Sequence, residues 1–131
     1  MLILMITLPP LIAAAMLEPD AAGTGTHTQL GLPPCRFLAL TSIPCITCGY
    51  TTAYSHAAHG QIRLAFTIQP GGAALAVFTA ALAIVAVYGL ITAVPLAPLG
   101  RWLWRLPVAL AGGGLLVGAW IYKIMLTSGV L

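Results

Sequence analysis

From Ala73 to Val94 the chain runs 22 residues without a charged side chain, and Pro95 and Pro98 follow. A helix rises about 1.5 Å per residue and a bilayer's hydrocarbon core is ~30 Å thick, so about 20 apolar residues span it. A second such run, Leu106 to Thr127, carries one charge, Lys123. Between these runs and a third apolar stretch there is little left from which to build a water-compatible surface. The 131 residues are 60% hydrophobic and 5% charged, against roughly 25% charged in an ordinary soluble domain. That excludes a soluble globule, a disordered tail and a nucleic-acid binder, and predicts a single integral membrane domain.

The third stretch, Met1 to Leu17, is short, contains Pro9 and Pro10, and ends at Glu18-Pro19-Asp20. A cleaved signal peptide would carry a lysine or arginine before its apolar run. None is present here, so the stretch is predicted to be a retained, kinked or tilted first span. The expected architecture is all-α: about three transmembrane helices (1–17, 73–94 and 106–127), with a cap of short interfacial helices (18–72) between the first and second. Trp102, Trp104, Trp120 and Tyr122 are placed as interfacial aromatics. Lys123 is expected to lay its stem along lipid and reach the headgroups. Gly112, Gly113, Gly114 and Gly118 form a small-residue surface that a second helix could approach. Arg101 and Arg105 lie in the short connection between the two strong spans, which the positive-inside rule makes cytoplasmic. The segment 18–72 then faces outward.

Everything chemically distinctive lies in that segment. Glycines, prolines and threonines make Ala21 to Pro34 an irregular loop, and its His27 is read as a solvated loop histidine rather than a ligand. All three cysteines fall in the next fourteen residues: Cys35, then Cys45-Ile46-Thr47-Cys48. A CxxC spacing lets two sulfurs converge on a metal ion or on each other. Tyr50 to His59 is predicted as a short helix closed by Gly60, with His56 and His59 on one face. A tetrahedral site from Cys35, Cys45, Cys48 and His59 is therefore conceivable, with zinc as the first ion to consider. A Cys45–Cys48 disulfide or redox pair, and three plain buried thiols, stand beside it as alternatives. Gln61 to Gln69 suits a short amphipathic helix at the membrane surface, broken by Pro70-Gly71-Gly72. No carboxylate follows Asp20, so acid–base hydrolysis is not expected.

The run Cys35-Arg36-Phe37, Leu40-Thr41-Ser42-Ile43-Pro44-Cys45-Ile46-Thr47-Cys48-Gly49-Tyr50-Thr51-Thr52-Ala53, His59-Gly60 and Gln69-Pro70 resembles the bacterial membrane proteins grouped as domain of unknown function 2752. The family pattern reads approximately CPF, LTGxPCPxCGxTRA, GD and NP. Cys35, Cys45, Cys48, Gly49, Thr51, Gly60 and Pro70 match it. Ile46, Thr52 and Gln69 stand where the family has proline, arginine and asparagine. The resemblance implies a multi-pass protein of the bacterial inner membrane and supplies no activity. With nearly no polar groups in the spans, the sequence is read first as a non-catalytic accessory subunit of a larger membrane complex, its partners being lipid and other membrane subunits. The second reading is a thiol or zinc site protein using Cys35, Cys45 and Cys48.

Overall fold

A computed structural model describes residues 1–103 and 105–129. Trp104, read above as an interfacial aromatic, lies outside the described residues. Among those residues the secondary structure is entirely helical. The helices are α1 (Leu2–Met16), α2 (Arg36–Thr41), α3 (Tyr50–Ala58), α4 (Ile62–Ile68), α5 (Pro70–Thr92), α6 (Ala97–Leu103) and α7 (Leu106–Thr127), with a 3₁₀ turn at Thr26–Leu30.

Two of these helices, α5 and α7, are long and apolar enough to cross a membrane. Only 22% and 11% of their most apolar windows are buried, so neither resembles the enclosed core helix of a water-soluble globule. On α5 the buried positions are all small: Gly71, Gly72, Ala73, Ala76, Thr79, Ala83, Ala86 and Gly89. From Ala73 on they recur every three or four residues and so form one stripe along the helix. The large side chains, among them Phe78, Ile84, Val87, Leu90 and Ile91, point outward. Helix association through small residues with apolar bulk left outside is the packing expected where the solvent itself is apolar.

That stripe receives α1 and α3. Helix α1 continues through Pro9 and Pro10, and its 15 residues make about 22 Å, less than the full hydrocarbon thickness. Ala53 of α3, Ala65 of α4 and Ala73 of α5 meet at a common centre, each at most 1% exposed. Gly72 explains how closely α3 and α5 approach: a Cβ there would stand 3.0 Å from Tyr50 Cα and 3.1 Å from Ala53 Cβ. The sequence treats Pro70-Gly71-Gly72 as a break before the span. Instead these residues are the first turn of α5, with proline at the position where a missing N–H costs nothing. Gln69 alone joins α4 to α5. It is fully buried, and its side-chain amide has no hydrogen-bond partner among the described residues.

The segment between α1 and α5 is bound to the C-terminal part of α7. Trp120 Nε1 donates to Pro44 O at 2.9 Å, and Tyr122 Oη to Thr67 O at 3.1 Å. Lys123 differs from the expectation. Its ammonium does not reach outward; the residue is 4% exposed and donates to Gly23 O at 3.3 Å and Ile68 O at 3.2 Å. The reason is positional: the segment folds over the end of α7, and two backbone carbonyls there face the lysine before headgroups can.

The glycines of α7 behave differently from those of α5. A Cβ at Gly112, Gly113, Gly114 or Gly118 would meet nothing within 4 Å. Gly72→Val is therefore expected to overpack the α3–α5 contact and cost about 1–3 kcal/mol. Gly113→Val should leave the isolated chain's stability unchanged within about 0.5 kcal/mol. Thermal unfolding of both variants in detergent, followed by circular dichroism, checks the contrast.

Candidate functional site

The cysteine loop is shaped by its local sequence. Cys35 precedes the first turn of α2, and Thr41 closes that helix by donating to Phe37 O and accepting from Ile43 N. The chain reverses at Ser42 and reaches Pro44, which is buried and held by Trp120. Cys48 N then donates to Cys45 O at 3.0 Å, so Cys45 to Cys48 forms a tight turn. Gly49 has φ +87°, and a Cβ on it would come 2.8 Å from Gly23 O and 3.4 Å from Lys123 Nζ. Only glycine satisfies both the left-handed backbone and that approach. From Tyr50 onward the chain is helical.

These constraints bring the three sulfurs together, all within 4.8 Å of one another. Cys35 Sγ lies 3.6 Å from Cys45 Sγ, and Cys45 Sγ lies 3.1 Å from Cys48 Sγ. All three are free thiols, Cys48 buried and the other two half-buried. For comparison, zinc–sulfur bonds of ~2.3 Å at tetrahedral angles put sulfurs about 3.8 Å apart. The convergence predicted from the CxxC and Cys35 is present.

The histidines fall otherwise. His59 ends α3, with its Nδ1 donating to Ser55 O at 2.7 Å. Ten residues of helical rise separate it from Gly49, about 15 Å, so it does not join the sulfurs as the four-residue set requires. His56, on the same helix, has Nδ1 at 2.5 Å from Gln61 Oε1. His27, read from sequence as a bystander, lines the same cavity as Cys35, Cys45 and Cys48. That cavity measures about 430 Å³. The turn carrying His27 is fastened beside the cysteine loop by Thr26 Oγ1 and Thr52 Oγ1, 2.8 Å apart and both wholly buried. Neither Thr26 nor His27 carries a spacing signal toward the cysteines; only the folded chain reveals the proximity.

The two CxxC thiols are electrostatically unequal. Burial raises the Cys45 thiol, but hydrogen bonds from Thr47, Cys48 and Cys35 outweigh it and hold the group down at about 7. Cys48 is pushed up to about 12, by burial first and then by its sulfur neighbours, which favour ionisation of Cys45 instead. The two protons are thus lost in separate steps that belong to the pair. An electron-rich cluster with one sulfur ionised near neutrality can ligate a soft cation or attack an electrophile.

Residues 35–83 match the family described as Protein of unknown function (DUF2752). The resemblance read from the cysteine frame therefore holds across that stretch. No curated protein and no solved structure matches the chain. Within that stretch the Thr52 hydroxyl is sequestered on Thr26 and fastens the His27 turn beside the cysteine loop.

Alkylation of reduced, chelator-treated protein is expected to distinguish the thiols. The thiolate is the reactive form, so modification of Cys45 by iodoacetamide should rise through pH 7 and level off above it. Cys48 should remain slow until pH is well above 10. Peptide mass spectrometry across a pH series provides the measurement; equal profiles would contradict the asymmetry.

Proposed function

We propose that the protein is an integral membrane protein that binds one thiophilic metal ion, zinc in the first instance, through Cys35, Cys45 and Cys48. The observation carrying this reading is the mutual approach of all three sulfurs within 4.8 Å. A disulfide uses two sulfurs and leaves no reason for the third to be there. Soft thiolate sets favour zinc or copper(I). The buried ammonium of Lys123 supports an anionic cluster. It has only carbonyl acceptors among the described residues, and an unpaired buried charge is costly. Three thiolates around a divalent ion leave one net negative charge beside Gly49, the glycine that Lys123 Nζ approaches.

In this reading α1, α5 and α7 are three spans, and residues 18–72 form the interfacial cap. The outward-facing bulk of α5 contacts lipid. Arg101 and Arg105 lie at the end remote from Trp120 and Lys123 on α7, so the positive-inside rule puts the sulfur cluster on the outer face of a bacterial inner membrane.

One observation favours a second reading, an accessory subunit within a larger membrane complex. The four glycines of α7 have open space where a Cβ would stand, a surface that fits another helix. The two readings are compatible, since a metal site of this kind can sit in a subunit.

Protein purified in mild detergent is expected to carry about one zinc or other thiophilic ion per chain. Cys45 should resist iodoacetamide until a chelator is added and should then react, with Cys48 following only at high pH. Free labelling without chelator would overturn the reading, and so would a metal-free protein two hydrogens lighter. Lys123→Met should weaken metal binding about tenfold, as loss of one charge several ångströms away at an effective dielectric near 20 costs on the order of 1–2 kcal/mol. Chelator competition measures the change.

A further inference from the structure

Three sulfurs leave a tetrahedral ion one ligand short, and the two histidines on α3 are carried away from the cluster by the rise of that helix. We infer that His27 is the fourth ligand, coordinating through Nδ1. The inference rests on the three-sulfur reading and extends it to a residue upstream of the cysteine motif.

Two separate observations point to this histidine. Its side chain lines the cavity that Cys35, Cys45 and Cys48 also line. Its other ring nitrogen, Nε2, lies 3.2 Å from Pro33 O. A carbonyl can only accept, so Nε2 carries a proton, and in the neutral imidazole Nδ1 is then the nitrogen with the lone pair. A ligating imidazole that donates its second nitrogen to a backbone carbonyl is the arrangement that fixes tautomer and ring orientation at metal centres. Pro33 is two residues before Cys35, so this bond ties the imidazole to the segment carrying the first sulfur.

The turn that presents His27 is independently anchored. Thr26 is wholly buried against Thr52, four residues beyond Cys48, which fixes the base of the His27 side chain beside the cysteine loop. The His27 nitrogens stand outside the 4.8 Å group formed by the sulfurs. Ligation therefore draws the ring inward across the shared cavity, converting an open three-sulfur site into a closed site with three sulfurs and one nitrogen. Closed sites of this composition are typical of zinc held structurally, whereas an open position leaves room for an exogenous ligand.

Cobalt(II) substitution of the full chain in detergent tests the assignment. Wild type should show thiolate-to-cobalt charge transfer, tetrahedral d–d bands, and a hyperfine-shifted, exchangeable imidazole N–H resonance from Nε2. His27→Asn keeps a donor for Pro33 O while removing the imidazole. It is expected to lose that resonance, shift the d–d bands, and bind cobalt at least about tenfold more weakly. His59→Ala should behave as wild type. Circular dichroism confirms that each variant keeps its helices, and His27→Gln serves if the asparagine variant does not. A His27 variant with the wild-type spectrum and affinity would overturn the inference and leave the three-sulfur site standing. A wild-type protein that shows no thiolate charge transfer with cobalt would overturn both.

Discussion

A lysine on an apolar helix must either reach water or find partners inside, and Lys123 does the second. It is 4% exposed, and its ammonium is held by Gly23 O and Ile68 O. Those carbonyls belong to two distant parts of the segment between α1 and α5, so one cation fastens both to the end of α7. With two acidic residues in the whole chain, a carboxylate is scarcely available, and Asp20 already accepts from Ala22 N at 2.8 Å. In the proposed reading the compensating negative charge comes from the sulfur cluster. Gly49 follows Cys48 directly, and a Cβ on it would stand 3.4 Å from Nζ, so this cation lies close to the cysteine loop.

Small residues do the remaining work of assembly. Ala53, Ala65 and Ala73 form the centre where α3, α4 and α5 meet, and Gly72 admits the α3 backbone beside α5. A core of this size buries little apolar area, which in water would not offset the cost of ordering the chain. In lipid the large side chains need no burial, and helices associate through close backbone approach and polar contacts. Tyr54 Oη to Thr79 Oγ1, at 2.9 Å, and the bond from Ser55 Oγ to Leu17 O are contacts of that kind, joining α3 to α5 and to the end of α1.

The long helices and the sulfur convergence were legible in the sequence, because uninterrupted apolar runs and CxxC spacing are local signals. The helix over Tyr50 to Ala58 was legible too, from its flanking Gly49 and Gly60. What escaped were relations between distant residues. Lys123 reads as a snorkelling lysine by its position near a helix end, and only the carbonyls folded over it reverse that. His59 reads as a ligand from its composition and proximity in sequence, yet helical rise carries it away from Cys48. His27 shows the converse, since it lies in a glycine-rich loop without any spacing toward the cysteines. The bond between Thr26 and Thr52, 26 positions apart, brings it beside them. Both His27 and Lys123 lie outside residues 35–83, the stretch that matches the family.

The central claim is that Cys35, Cys45 and Cys48 hold one metal ion together. X-ray absorption at the K-edge of the metal that co-purifies with the protein tests it most directly. The account predicts a shell of three sulfur scatterers at about 2.3 Å from a single ion. A first shell of nitrogen and oxygen alone would contradict it.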